Sequence, residues 1–386
     1  MQLTGRHVET AQPIRLTCEE GAISSIEPLS LPEPEATALP WLAPGLFDLQ
    51  INGAHDIWFS DEQLTVDKVL TVLRALLPHG ITRLCPTLIT NSQRALRHGF
   101  EVLRQTCEQH AWADHMISGC HLEGPHISRE DGPRGAHPLD HVRDCSIAEF
   151  EELEASSGNR IRLVTLAPET PGAVEFIQHL TAHNVVCAIG HTAANSDQIA
   201  AAVEAGARLS THFGNGAKAM LPRHPNFLWD QLAEPRLLAS IIPDGHHIPA
   251  SVAKCVLLAK GPEHTVITCD SSGLAGCPPG IYAAAGGKCE VLDDGRIVVA
   301  GQRQYLAGSG AFTEECVAGM MQLTGIDLAA AWPMAHSIPS RLLGLNDREL
   351  QVGHPADVVQ FQLTDKQTIQ IDTVLLCGNI VYGDGL

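Results

Sequence analysis

The stretch NVVCAIGHTAANSDQIAAAVEAGARLSTHFGN, residues 184–215, sets two short apolar runs on either side of an amphipathic segment. The first run closes on Gly190-His191-Thr192 and the second on Thr211-His212-Phe213. Between them, residues 196–207 carry apolar side chains at three- and four-residue spacing, the period of a helix with one face on a core. Strand, surface helix and strand in that order make a βαβ unit. The same rhythm holds along the chain, in which LAPGLFDLQ, ITRLCPTLI, ISGCHLEGP, IRLVTLAPE, NVVCAIGHT, ARLSTHFGN, LASIIPDGHH and TVITCDSSG are eight successive runs with helical segments such as TVDKVLTVLRALLPHG and ASVAKCVLLAKG between them. Eight such units predict a (β/α)8 TIM barrel, whose catalytic side chains sit at the carboxyl ends of the strands, where the polar residues of each run fall. A doubly wound sheet gives a similar alternation.

Outside the repeat the pattern changes. Residues 1–42 hold short strand-like pieces with Gly and Pro turns, and ADVVQFQL and TVLLCGNIVYG near the other end alternate or run apolar. Residues 1–42 and 346–386 together predict a small β-sandwich domain, leaving 43–345 for the barrel. A barrel uses ~250 residues, so 386 leave room for this second unit. Residues 286–304, with an Asp294-Gly295 turn, resemble a hairpin inserted after the eighth strand, placed to cover the barrel mouth or to pack on the β domain.

The composition, 44% hydrophobic and 18% charged, is that of a globular chain, and the formal net charge of -19 repels nucleic acid and anionic membrane. Neither partner is expected, and any phosphate pocket must be local. The start MQLTGRHVET lacks a basic segment followed by an apolar core, and no apolar run approaches ~20 residues. The expected location is the cytoplasm. Twelve cysteines without a CxxC pair suit reduced, buried thiols.

Strand alternation places His121 and Glu123 on one face, with Glu123 nearest the carboxyl end of the third run. Taken singly, such a Glu is either a structural hydrogen bonder or a metal ligand. Glu123, His191 and His212 at three strand ends of one barrel match the nitrogen and oxygen ligand set that zinc prefers. Asp270, which ends the eighth run in Thr268-Cys269-Asp270, is either a helix N-cap or a base beside a metal-activated water. His137 and the pair His246-His247 lie on loops after the third and seventh runs.

The segments PGLFDLQINGAHD, HLEGPHISREDGPRGAH, AIGHTAAN, THFGNGAKAM, IIPDGHH, VITCDSSGLAG and LAGSG, in this order over residues 43–310, resemble the motifs of the N-acetylglucosamine-6-phosphate deacetylase family. The closing GHPADVVQF is similar to the wider amidohydrolase superfamily. The resemblance implies that Glu123, His191 and His212 hold one divalent ion, Zn before Fe, Mn or Co, and that Asp270 is the general base and then the general acid. It implies that His137 binds sugar hydroxyls and that His247 contacts substrate near the phosphate or the carbonyl. Asn215, the backbone of Gly216, and Arg223 would hold the phosphate. Where many amidohydrolases read His-x-His after the first strand, this chain reads Gln50-Ile51-Asn52, with Gln50 at most an auxiliary ligand. A homodimer whose neighbour contributes to the substrate site is implied as well.

The family reads His-x-x-Asn-Ala-Met after the sixth strand, whereas this chain reads His212-Phe213-Gly214-Asn215-Gly216-Ala217-Lys218-Ala219-Met220. The loop is rebuilt, and Lys218 or Arg134 could supply charge that it lacks. The leading expectation is hydrolysis of N-acetylglucosamine 6-phosphate to glucosamine 6-phosphate and acetate. An unphosphorylated N-acetylhexosamine, another small N-acyl amide, and a catalytically silent barrel are the alternatives. Neither a GxSxG elbow nor a GxGxxG following a strand occurs, which sets aside serine hydrolase and dinucleotide-binding readings.

Overall fold

The computed structural model of the chain describes residues 1–284 and 287–383. Eight parallel strands, Leu46–Ile51, Ile81–Ile89, Cys120–Glu123, Ile161–Leu166, Val186–Ile189, Leu209–Ser210, Leu238–Ile241 and Thr265–Ile267, pair in chain order. A parallel bridge from Ile51 to Ser271 closes the ring. All six residues of the first strand are buried, because a barrel strand has the packed interior on one face and the helix layer on the other. Each strand is followed by a helix, from Val66–Leu76 after the first to Thr313–Thr324 after the eighth. The helix starts are written locally: Thr65 accepts from the Lys68 amide, and Asn195 and Gln198 form a reciprocal capping box ahead of Ser196–Ala205. Among the described residues no helix is long and apolar enough to cross a membrane.

His121 lies inside the barrel beneath Glu123. Its two ring nitrogens meet Thr87 at 3.3 Å and Thr165 at 2.8 Å, and Thr165 pairs with Thr211 at 2.7 Å. Burial pushes this imidazole down to about 4, so it is a neutral polar rung that forms the floor of the site.

The two chain ends share one seven-stranded sheet. Trp41–Pro44 joins them, running parallel to Gln2–His7 and antiparallel to Val358–Leu363. One face of the sheet builds its own core from Ile14, Leu16, Ile23, Leu42, Val358 and Leu375. On the other face Phe361 stacks on Trp332 with ring centroids 4.9 Å apart, and the Trp332 indole donates to the Pro44 carbonyl at 3.0 Å. Only Gly45 separates this sheet from the first barrel strand, and a Cβ there would stand 2.0 Å from the Thr82 hydroxyl. The two units are thus joined where a side chain has no room.

The segment after the eighth strand is a four-stranded antiparallel sheet, Gly280–Ala284, Gly287–Val291, Ile297–Val299 and Gln302–Leu306, rather than a single hairpin. Gly286, the start of the expected insertion, lies outside the described residues, as do residues 384–386 of the expected C-terminal unit. The Gly- and Ala-rich first strand lacks the β-branched alternation by which strands are read. Cys289, Val291 and Ile297 pack with Leu274 and Trp58, so the sheet rests on the loops after the first and eighth barrel strands, at the mouth.

Candidate active site

Glu123, the last residue of the third strand, directs Oε1 to the axis of the barrel. There it lies 3.2 Å from His191 Nε2 and 3.0 Å from His212 Nε2, and the two nitrogens are 3.0 Å apart. All three residues are buried and form a cluster whose ligand atoms lie within 4.8 Å of one another. His191 donates its Nδ1 proton to the Pro133 carbonyl at 2.8 Å, which turns Nε2 toward Glu123 and His212. Such a set fits a divalent cation: two imidazole Nε2 atoms and a carboxylate oxygen converge on one point, and a cation there would meet all three. Burial alone would raise the Glu123 carboxyl, but the hydrogen bonds and charges of the two imidazoles outweigh it and hold the group well below the usual carboxylate range.

Asp270 closes the other side. Its Oδ1 accepts from Gln50 Nε2 at 3.0 Å and from Asn52 Nδ2 at 2.7 Å, and Gln50 Nε2 also donates to Glu123 Oε1 at 2.9 Å. Gln50 therefore turns N–H bonds, rather than its oxygen, toward both carboxylates. Burial, and after it the negative Glu123, push Asp270 up to about 6. With Oδ1 taken by two amide donors, Oδ2 is the oxygen left to exchange a proton. His191, His212 and Asp270 all have left-handed backbones, with φ of 50, 28 and 50°.

His137 is set by Thr90, whose hydroxyl is 2.8 Å from its Nδ1, and it lies edge-on to His191 with centroids 4.3 Å apart. Burial pushes it down to about 3, which keeps it neutral. His247 pairs through Nδ1 with Asp244 at 2.7 Å. Asn215 donates to the His212 carbonyl at 3.2 Å, and Gly216, with φ of 58°, packs against the His191 ring.

The cations proposed for phosphate are distributed differently. Lys218 pairs with Glu130 at 2.6 Å, and Arg134 pairs with Asp131 and donates to the His137 carbonyl at 2.8 Å. Arg223 is exposed and makes no ion pair or hydrogen bond through its side chain among the described residues.

Asn52, Thr90, Asp244 and Ser309 are the polar contacts that residue-by-residue reading leaves out. Only Asn52 carries a local signal, since it stands just past the end of the first strand, two residues beyond Gln50.

The sequence profile of the Amidohydrolase family matches residues 41–381. The chain is 33% identical over 348 residues to the N-acetylgalactosamine-6-phosphate deacetylase of Escherichia coli O157:H7, covering 89% of each. It is 33% identical over 353 residues to the N-acetylglucosamine-6-phosphate deacetylase of Bos taurus, covering 88% of this chain and 83% of the relative. Among solved structures, the N-acetyl-D-glucosamine-6-phosphate deacetylase of Mycobacterium smegmatis superposes with a TM-score of 0.88 at 27% identity, covering 99% of this chain and 100% of the other.

Proposed function

The chain belongs to the amidohydrolase family, whose profile spans most of its length, and from that premise we propose that it removes the acetyl group of an N-acetylated amino sugar 6-phosphate. N-acetylglucosamine 6-phosphate is the leading substrate, giving glucosamine 6-phosphate and acetate. The observation that carries this reading is the joint placement of the Glu123, His191 and His212 cluster and of Asp270, tied to it through Gln50. We assign one divalent ion, Zn, to the three ligands.

A divalent ion in that position supplies Lewis-acid polarisation of the acetamide carbonyl and makes a bound water easier to deprotonate. The remaining steps belong to side chains. Asp270 takes the proton of the attacking water at Oδ2 while Gln50 and Asn52 hold Oδ1. As the carbon–nitrogen bond breaks, the same oxygen gives the proton to the departing amine nitrogen. His137, neutral and fixed by Thr90, offers Nε2 to sugar hydroxyls. His247 approaches from the seventh strand's loop.

One observation favours an unphosphorylated hexosamine as the second reading: Lys218 and Arg134 are already paired with carboxylates. Against it stands Arg223, exposed on a loop that also shows Met220 at 86% exposure, just ahead of the helix Phe227–Ala233, which shows Trp229 at 56%. That apolar surround supports a homodimer in which a second copy covers this loop and brings Arg223 to a phosphate. A cytoplasmic location agrees with amino-sugar metabolism of this kind.

Acetate release from N-acetylglucosamine 6-phosphate, N-acetylgalactosamine 6-phosphate and the unphosphorylated sugars tests the reading, with Asp270→Asn as control. Activity on a phosphosugar, lost by a factor of about 10²–10⁴ in Asp270→Asn, is the expected result. Release only from unphosphorylated sugars selects the second reading, and no release from any sugar refutes both.

A further inference from the structure

We propose that Asp244, steadied by Ser309, is a positioning residue that fixes the ring of His247 with its proton on Nδ1, so that Nε2 is presented to the substrate. The inference rests on the deacetylase reading for its kinetic consequence but on geometry for its structural claim.

The Asp244 side chain is 3% exposed and the His247 side chain 5%. Oδ1 of Asp244 accepts the backbone amides of His246 at 2.9 Å and His247 at 2.8 Å, while Oδ2 accepts His247 Nδ1–H at 2.7 Å and the Ser309 hydroxyl at 3.1 Å. Four donors on one buried carboxylate leave it a single orientation. Burial works against the charge, yet the His247 hydrogen bond and the amides bring the group down to about 2, so it remains an anion. His247 Nε2, by contrast, has no partner among the described residues, and the residue lines a cavity of about 160 Å³ bounded also by Arg296, Leu306 and Gly308. A ring with one nitrogen locked and the other open onto a cavity is arranged to touch a ligand.

Ser309 links this pair to the chemistry. Its amide donates to the Asp270 carbonyl at 2.8 Å, while its hydroxyl reaches Asp244. One residue of the loop after the eighth strand therefore sets the backbone of the proposed base and the carboxylate behind His247 together. No such role follows from a structural cap alone, because the two amides on Oδ1 would complete a cap without Oδ2.

Asp244→Asn is the informative change. The two backbone amides require an oxygen, so the new NH2 group must face His247 Nδ1 and move the ring proton to Nε2. The metal-loaded protein with 15N-labelled histidine reports this directly, with the His247 signals identified by their loss in His247→Asn. The expected result is a proton on Nδ1 in the parent and on Nε2 in Asp244→Asn. Alongside it, kcat/KM for acetate release from N-acetylglucosamine 6-phosphate should fall about ten- to a hundred-fold at unchanged metal content. In the His247→Asn background the same change should cost less than about two-fold. An unmoved proton, an unchanged kcat/KM, or an equal loss without the imidazole overturns the proposal. Should Asp244→Asn lose its fold or metal, Ser309→Ala removes one donor to Asp244 while sparing both amides, and an unchanged kcat/KM in that variant overturns it too. Absence of acetate release by the parent would sink the functional reading instead, while the ring-proton result still decides the role of Asp244.

Discussion

Replacing Asn52 by leucine should move the acid limb of the kcat/KM profile upward by about one to two pH units while leaving its plateau near that of the parent. Asn52 Nδ2 gives Asp270 Oδ1 the shorter of its two hydrogen bonds, 2.7 Å against 3.0 Å from Gln50. A hydrogen bond to a charged acceptor is worth about 1.5–3 kcal/mol, and one pH unit corresponds to about 1.4 kcal/mol, which gives the expected interval. The sign follows from which form is favoured. The bond stabilises the carboxylate, its loss raises the pKa, and the base is then protonated at higher pH. Burial and Glu123 already bring Asp270 to about 6; a cation on the three ligands lowers that value in both proteins, so the prediction is a difference between them. Leucine is close in shape, and the Asn52 Oδ1 that it removes is buried without a partner, so folding should suffer little. The assay is acetate release by the metal-loaded protein from about pH 5 to about pH 9, with metal content measured in each sample. A lowered plateau with an unmoved limb would refute the claim that Asn52 acts through the Asp270 proton.

The loop after the sixth strand and the junction of the two units supply further expectations. Gly216→Ala sets a methyl 2.8 Å from His191 Nδ1 on a left-handed backbone, so metal affinity measured by chelator competition should fall about 10- to 100-fold, and an unchanged affinity would show that the ring has room. Arg223→Ser should raise KM for the phosphosugar about ten-fold or more and spare the unphosphorylated analogue; equal effects on both would remove Arg223 from phosphate recognition. Phe361→Ala strips the partner of Trp332 from the sheet–barrel contact, and chemical denaturation should register a loss of about 3–5 kcal/mol, with a loss below about 1 kcal/mol contradicting the assigned packing.

The barrel is legible because its signal is repeated: eight runs carry the same period, and a parallel strand buried on both faces cannot hide its apolar content. The polar residues ending runs three, five, six and eight are legible for the same reason, since position in the run fixes position in the barrel. What the sequence does not disclose depends on pairs of residues far apart along the chain. The contact of Asn52 with Asp270 spans 218 positions, and nothing local to either residue announces the other. Gln50 reads as a weak ligand by residue type, and only the shared position of Glu123 and Asp270 around it turns its amide into a donor for both. The four-stranded sheet over residues 280–306 is compressed to a hairpin in the sequence because Gly and Ala carry no alternation.

The backbone around the site accounts for which loop residues can change. A left-handed conformation costs a non-glycine residue about 1–2 kcal/mol and persists only where neighbours hold it. His191, His212 and Asp270 have this conformation where their strands end, and it turns each side chain from the strand direction inward to one point. In each case the strained residue's own carbonyl is held by a loop: His191 by the Ser128 amide at 3.0 Å, His212 by the Asn215 amide at 3.0 Å, and Asp270 by the Ser309 amide at 2.8 Å. Asn215 adds a second bond to the same His212 carbonyl through its side chain. The sixth loop can thus vary beyond Asn215, where Lys218 pairs with Glu130 across to the third loop, without releasing His212 behind it. Asn215 thus has a role separate from any phosphate, because it clamps the backbone that aims His212.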